Sequence, residues 1–374
     1  MNKELSQIRK EIDDIDAKLI QLFKERMRCS DNVAKIKEKE GIPVFDKERE
    51  ASILKKVKEN AGEYGNSIAV LYAAMMSASR MRQYRAVGEN EIERIEKNSP
   101  RKLNISGKIS CQGAEGACSH KAALMFLEGK NKKNEIVFKG TWNDVFEDVS
   151  TGYAEFGILP VENSSAGSVY DVYELIMRYR LYIVGVVAVK VSHCIASSSS
   201  EGIKKVISHP QALAQCSSYI SKKGYEAEEF SNTALAAKYV KEHPGTAAIC
   251  SEEAANECGL KIIQRNIQNE SYNTTRFIVI SKTPILPDDS EKISICFALP
   301  HTAGSLYNIL ERFAIAGSNL TKIESFPVSG SKFEYKFYLD FTGNIHDEET
   351  LNLIKMLSVE LPEFSFLGNY KEIE

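Results

Sequence analysis

Nine positions stepping alternately four and three residues mark one apolar seam near the start of the chain: Ile8, Ile12, Ile15, Leu19, Leu22, Arg26, Cys29, Val33 and Ile36. All are apolar except Arg26. The spacing predicts a single helix over about residues 3 to 39, about 55 Å long at 1.5 Å per residue. That exceeds the diameter of a small domain, so the seam is expected to pack along a second copy of the chain. Arg26 then has two readings. It sets register, as polar seam residues do in coiled coils, or it is a buried cation that needs a carboxylate, which a ligand supplies.

A chain of 374 residues is expected to hold two or three domains. Its formal charge of −3 argues against a nucleic-acid binder. Eight scattered cysteines show no C-x-x-C pair and no spaced histidines, so neither a zinc site nor a disulfide framework is indicated. No glycine-rich nucleotide motif occurs, and no cofactor or metal is expected. No apolar run is long enough to span a bilayer, and the opening MNKELSQIRKEIDD is charged. A cytoplasmic protein without a membrane partner is therefore expected.

Three regions differ in pattern. Residues 1–88 are helical in period and nearly free of glycine. The stretch VGENEIERIEKNSPRKLN loses the regular seam, and 89–102 read as a linker. Over 103–285, short apolar runs (KISCQG, EIVFKG, FGILPVE, LYIVGVVAVKV, KKVISHP, TAAICS, RFIVIS) alternate with helical stretches, which predicts an α/β domain with a mixed or parallel sheet. After the break KTPILPDDSE, residues 286–374 read strand (291–299), helix (303–316), strand (319–328), strand (333–341), helix (347–359), strand (364–370). This is the βαββαβ order of a ferredoxin-like domain.

In the helical region Lys37 lies eleven residues, close to three full turns, after Arg26, so both cations face one way. On a helix over about 67–86 the stripe Ile68, Tyr72, Met75 continues into Ser79 and Gln83. Between them, PVFDKEREASILKKV starts a helix with Asp46 as N-cap and Arg49 and Glu50 in its first turns. Arg9 is about 25 Å from Arg26 by rise and suits a partner's site instead. This constellation resembles the all-helical chorismate mutase family over residues 1–88. The resemblance implies that Arg9, Arg26 and Arg49 hold the two carboxylates of chorismate in a near-attack conformer. Lys37 and Gln83 would donate to the ether oxygen as it gains charge. Glu50 and Ser79 would orient the ring hydroxyl and a carboxylate, with Asp46 beside them.

In the middle region SCQGAEGACSH follows a strand and reads as a turn into a helix. ILPVENSSAGSV places Glu162, Asn163 and Ser164 after a strand end, where α/β ligands bind. VISHPQALAQC does the same with Ser208, His209, Gln211 and Gln215, and YNTTRFIVI puts Thr274, Thr275 and Arg276 at a strand mouth. Each cluster alone reads equally as capping or turn chemistry; together they point to a shared anion-binding cleft. Their order and wording resemble prephenate dehydratase, whose two α/β lobes are similar to a type II periplasmic binding protein. Ala117-Cys118 stands where Ser-Tyr is common. The resemblance implies loss of water and carbon dioxide from prephenate, with Thr275 as proton donor and Arg276 as carboxylate anchor. Asn163, Ser208 and Gln215 would hydrogen-bond the substrate, and His209 is either a relay or structural.

The last region resembles an ACT regulatory domain, which binds amino acids at dimer interfaces; the implied effector is phenylalanine. The matching positions are Gly304, Ser305 and Leu306 in TAGSLYNIL, and Asn319, Leu320, Glu324 and Ser325 in NLTKIESFP. Phe326 replaces the arginine of the usual E-S-R-P, and Ser305 stands where alanine is usual. The whole is expected to be a bifunctional, homodimeric or larger enzyme of phenylalanine biosynthesis. Arogenate as the middle domain's substrate, and a non-catalytic amino-acid-responsive binding protein, are the alternatives.

Overall fold

A computed structural model describes residues 3–86, 90–128, 134–199, 201–270, 272–302, 304–327 and 335–373. The expected start of a helix at 303, and parts of the strands expected over 319–328 and 333–341, lie outside the described residues. The chain divides into two compact units: residues 1–98 with 295–366, and residues 99–294 with 367–374.

In the first unit, helices α1 (Lys3–Glu40), α2 (Lys47–Asn60), α3 (Gly65–Ala86) and α4 (Glu91–Asn98) come first. α1 packs on α3 through Met27, Ser30 and Ala34, a face that adjoins the seam at Arg26. Seam residues Ile8, Ile12, Ile15, Leu19 and Leu22 are 50–60% exposed in the single chain. α4 replaces part of the expected linker. Eight residues carry too few turns for a seam, yet the helix has its own start signal. Asn90 Oδ1 accepts from the Glu93 N–H at 3.1 Å, and Glu93 Oε2 accepts from the Asn90 N–H at 3.3 Å, a reciprocal cap. Ile92 is buried.

The second unit begins with β1 (Ile109–Gln112), α5 (Cys118–Leu127), β2 (Ile136–Lys139), α6 (Trp142–Thr151), β3 (Phe156–Asn163), β4 (Gly167–Ser168), α7 (Tyr170–Tyr179) and β5 (Tyr182–Lys190). The chain then crosses into a second lobe. That lobe holds β6 (Cys194–Ser197), β7 (Lys205–Ser208), α8 (Pro210–Gln215), α9 (Ser217–Lys223), β8 (Glu226–Glu229), α10 (Thr233–Lys241), β9 (Thr246–Cys250), α11 (Glu252–Glu257) and β10 (Lys261–Gln264). It returns to the first lobe as β11 (Thr274–Ser281). The two crossing segments bond to each other, Val191 N–H to Asn273 O at 2.8 Å and Ile267 N–H to His193 O at 3.1 Å.

Next come β12 (Lys292–Leu299), α12 (Ser305–Ile315), β13 (Leu320–Pro327), β14 (Tyr335–Thr342), α13 (Glu348–Glu360), β15 (Ser365–Tyr370) and β16 (Glu372–Ile373). Among the described residues the first lobe is built on the sheet β16-β5-β11-β3-β1-β2, with β4 on β3, and the second on β10-β6-β9-β7-β8. β1 runs parallel to β2 and β3, while β11 is antiparallel to β3 and β5, so the sheet is mixed. The apolar runs become its interior: Ile109, Phe156, Ile158, Val187 and Val279 form one core with Phe126 of α5. At Gly157 a Cβ would sit 2.9 Å from both Ile280 and Val145, so only glycine lets α6 seat against β3 and β11. The remaining sheet, in the order β13-β14-β12-β15, carries the βαββαβ elements.

Candidate functional site

In the helical unit, α1 delivers Arg26 to the middle of α3. Arg26 is half-buried, and its Nη1 donates to Met75 O at 3.3 Å. One turn along each helix Ser30 meets Ser79, hydroxyl to hydroxyl, and both are buried. Gln83, another turn on, is buried, and its Oε1 has no hydrogen-bond partner among the described residues. A buried acceptor without a partner is costly unless a ligand serves it. Lys37 Nζ donates to Val44 O at 2.6 Å and ties the end of α1 to the loop before α2. Asp46 caps α2, its Oδ1 accepting from the Arg49 N–H at 2.9 Å, so this carboxylate fixes the turn that presents Arg49 and Glu50. Arg49 and Arg9 are exposed. Glu50 is paired with Arg80 of α3, a residue that the motif spacing did not single out.

In the second unit a cavity of about 670 Å³ lies between the lobes. Five of the sequence-derived residues line it: Asn163, His209, Gln211, Gln215 and Thr275. Thr275 and Asn163 are register partners across β11 and β3. Asn163 is buried and fully committed: Oδ1 accepts from the N–H groups of Ser165 and Ala166 at 3.0 Å each. Its Nδ2 donates to Asn273 Oδ1 at 2.8 Å and to Thr275 Oγ1 at 2.9 Å. Because Thr275 Oγ1 accepts that bond, its own proton is available to another acceptor.

His209 is exposed and caps α8, its Nδ1 accepting from the Gln211 N–H at 3.2 Å. Gln215 Oε1 lies 2.9 Å from Nε2 of His193, a residue at the lobe crossing that sequence reading passed over. His193 is buried and lines the cavity, and burial holds its imidazole below the ordinary histidine range. With Nε2 donating to Gln215, Nδ1 is an acceptor with no partner among the described residues.

The other five expected residues do not line the cavity. Ser208 is buried and donates to Ile249 O at 2.6 Å. Ser164 and Thr274 clamp each other, Thr274 N–H to Ser164 Oγ at 3.0 Å and Ser164 N–H to Thr274 O at 2.9 Å. Arg276 alternates to the opposite face of β11 from Thr275, as strand geometry requires. There its Nε meets Glu372 Oε1 at 2.8 Å and its Nη1 meets Glu162 Oε2 at 3.3 Å. The expected anchor and the expected cleft carboxylate are thus engaged with each other and with β16. Cations at the cavity are instead Lys121 and Lys190. Lys121 Nζ reaches Glu253 Oε1 of the second lobe at 2.7 Å, and Ser251 Oγ donates to Gly116 O at 3.0 Å. Burial raises the Glu253 carboxyl, but the bond and charge of Lys121 leave it below its usual value. Gly116 has φ +80°, and a Cβ there would lie 3.0 Å from Ala254 Cα, so the β1–α5 turn needs glycine for both reasons.

Of the residues expected to bind an amino acid, Gly304, Ser305 and Leu306 open α12, whereas Asn319 and Leu320 follow its C-terminal end and Glu324 and Ser325 lie along β13. Gly304, at φ +83°, precedes the helix without a side-chain cap. Ser305 Oγ lies 2.6 Å from Thr302 Oγ1, and Leu306 is half-buried. β13 is at the edge of its sheet; Asn319 and Ser325 are exposed, Leu320 and Glu324 half-buried, and Phe326 buried. Among the described residues no cluster of His, Cys, Asp or Glu could hold a metal ion, and no helix is long and apolar enough to cross a membrane.

Comparison with known proteins places both regions in families. Residues 8–84 match the family described as chorismate mutase type II, and residues 109–285 that described as prephenate dehydratase. The chain is 32% identical over 378 residues to the bifunctional chorismate mutase/prephenate dehydratase of Aquifex aeolicus, covering 98% of each chain. It is 36% identical over 279 residues to arogenate dehydratase/prephenate dehydratase 2 of Arabidopsis thaliana, covering 70% of this chain and 72% of the relative. Among solved structures it is similar to the prephenate dehydratase of Arthrobacter aurescens in complex with L-Phe. That match has a TM-score of 0.65 and 28% identity, over 71% of this chain and 89% of the other.

Proposed function

The chain belongs to the bifunctional chorismate mutase/prephenate dehydratase family, and from that premise we propose how its residues divide the two reactions. It rearranges chorismate to prephenate, then converts prephenate to phenylpyruvate with loss of water and carbon dioxide, in the biosynthesis of phenylalanine. Family membership sets aside the non-catalytic alternative.

For the mutase, Arg26 and Arg49 hold the carboxylates, joined by Arg9 of a second protomer. Lys37 and Gln83 donate to the breaking ether bond, while Glu50 and Ser79 orient the ring hydroxyl and a carboxylate. Asp46 builds the turn that carries Arg49 and Glu50. The exposed seam along α1 supports the homodimer.

For the dehydratase, Thr275 donates to the departing hydroxyl, and Asn163 orients it. This assignment rests on one observation: the 2.9 Å bond in which Asn163 donates to Thr275 Oγ1 at the cavity wall. Gln215 and His193 supply the opposite rim, with Gln211 and His209 at its edge. Ser208, Ser164, Thr274, Glu162 and Arg276 act by holding the strand ends in place. Departure of hydroxide and carbon dioxide is driven by aromatisation, so a hydroxyl donor in a preorganised site suffices.

Residues 286–374 we read as a ferredoxin-like ACT domain that binds phenylalanine as effector. Support comes from the βαββαβ order, from the α12 start at Gly304, a helix N-terminus without a side-chain cap that suits a carboxylate, and from the relative in complex with L-Phe. Ser305, Leu306, Asn319, Leu320, Glu324 and Ser325 are the further residues we assign to that effector site. The free cysteines are consistent with a cytoplasmic setting.

The test is incubation of the purified protein with chorismate, following prephenate and phenylpyruvate, with and without phenylalanine and with arogenate in parallel. Phenylpyruvate formed from chorismate and slowed by phenylalanine supports the whole assignment. Turnover of arogenate in preference to prephenate would favour the reading suggested by the Arabidopsis relative.

A further inference from the structure

Glu50 is given the task of orienting a neutral hydroxyl, and a carboxylate does so only when its own position is fixed. Both its oxygens lie 2.5 Å from Nη1 of Arg80. Arg80 is 6% exposed, and its guanidinium lies 5.0 Å from the centre of the Phe45 ring. Its other working edge points away from the motif: Nε donates to Glu360 Oε1 at 2.9 Å. Glu360 is the last residue of α13, in the βαββαβ segment of the same unit, and its side chain is 1% exposed. Arg312 Nη2 of α12 lies 2.9 Å from its second oxygen. Glu50, Arg80, Glu360 and Arg312 thus alternate in sign, with the Glu311 carboxylate near both arginines. Burial works against the Arg80 charge, but Glu360 and Glu50 together raise its pKa above the ordinary value.

We infer that Arg80 is a positioning residue for the mutase reaction, and that Glu360, by holding Arg80, makes the C-terminal segment part of the helical site. Only a guanidinium can offer separate N–H edges to two carboxylates in this way. With Glu360 neutral, Arg80 and Arg312 lose the acid between them and are left with Glu50 and the nearby Glu311, and Arg80 no longer holds Glu50 in one place. The residues adjoining Arg80 are Ser79 and, one turn on, Gln83 and Tyr84, so a shift of Arg80 is felt within the mutase pocket. The inference rests on the Glu50 role proposed above.

The experiment compares the full-length protein with Glu50→Gln, Glu360→Gln and the double variant. Mutase kcat and KM are read on chorismate, and dehydratase activity on added prephenate. Glu50→Gln is expected to lower mutase kcat at least about tenfold. Glu360→Gln, though outside the pocket motif, is expected to lower it between about two- and thirty-fold with KM little changed. The double variant should be no worse than Glu50→Gln alone, because Glu360 acts through Glu50. Dehydratase activity should be retained in all three. A Glu360→Gln enzyme with unchanged mutase kcat beside an impaired Glu50→Gln enzyme overturns the inference, as does full additivity. If Glu50→Gln is itself unimpaired, the Glu50 role has failed and the inference falls with it. Should Glu360→Gln lose dehydratase activity too, marking a folding defect, Arg80→Lys takes its place. Lysine keeps the charge but not the two edges, and the same kcat readings decide.

Discussion

Asn163 Nδ2 lies 2.9 Å from Thr275 Oγ1, across a register pair of β3 and β11, while the other end of the Asn163 amide is pinned by two backbone N–H groups. The amide therefore cannot rotate to accept from the threonine, and the hydroxyl proton is left for another acceptor. Thr275→Ala is expected to cut dehydratase kcat by about 10²-fold or more while prephenate still binds. Thr275→Ser, which keeps the hydroxyl, should recover much of that loss, and Asn163→Ala should resemble the alanine variant more than the serine one. Rates on added prephenate, with binding measured separately, check this; an active Thr275→Ala enzyme would remove the assigned proton donor.

Arg276 faces Glu162 and Glu372, away from the cavity lining. Arg276→Ala should therefore lower stability by about 1–2 kcal/mol, a discounted value for charged hydrogen bonds that are part-exposed. KM for prephenate should stay within a few-fold of normal. A large rise in KM with an unchanged melting temperature would restore the carboxylate-anchor role instead.

Arg26→Ala should reduce mutase turnover at least about 10²-fold, the scale of deleting one electrostatic donor. Dehydratase activity on added prephenate should persist. Near-normal mutase turnover would leave Arg26 as a residue that merely sets helix register.

A charge placed in the exposed seam tests the dimer. Leu19→Lys should shift the protein toward monomer in sedimentation velocity and lower mutase activity with it, because Arg9 would no longer reach a partner's site. A stable dimer in that variant would place the interface elsewhere.

His193 carries the pH prediction. Burial lowers its folded pKa from the unfolded value of 6.5. The unfolded chain thus binds the proton more readily, and stability rises with pH in that window. The contribution is complete above the unfolded value and is lost as pH falls toward the folded one. The thermal midpoint for loss of dehydratase activity should fall as pH drops from about 7 toward 5. His193→Gln should flatten that part of the curve, and an unchanged slope would assign it to other groups.

Much of this was legible in spacing alone. The α1 seam, the Asp46 cap and the Ser79–Gln83 stripe follow from helical period, and the apolar runs at 156–162 and 181–191 lie in one sheet on either side of β11. TTRF looks like one cluster in sequence, yet a strand sends Thr275 and Arg276 to opposite faces, so spacing alone does not reveal that Arg276 faces Glu162 and Glu372. α4 is too short to show a period, although N-x-x-E at Asn90–Glu93 is a start signal. Arg80 and Glu360 had no local signal, since their pairing joins residues 280 positions apart, and His193 looked like one more polar residue after a strand.

The sheet of the second unit takes its outermost strand, β16, from residues 372–373, after an excursion through residues 295–366 that belong to the other unit. During synthesis, then, β5 waits for its last neighbour and Arg276 for Glu372 until residues 372–373 have left the ribosome. A gene truncated after the dehydratase motifs would encode every cavity residue yet omit this closing strand. The middle segment is for that reason a poor candidate for excision as a free-standing module.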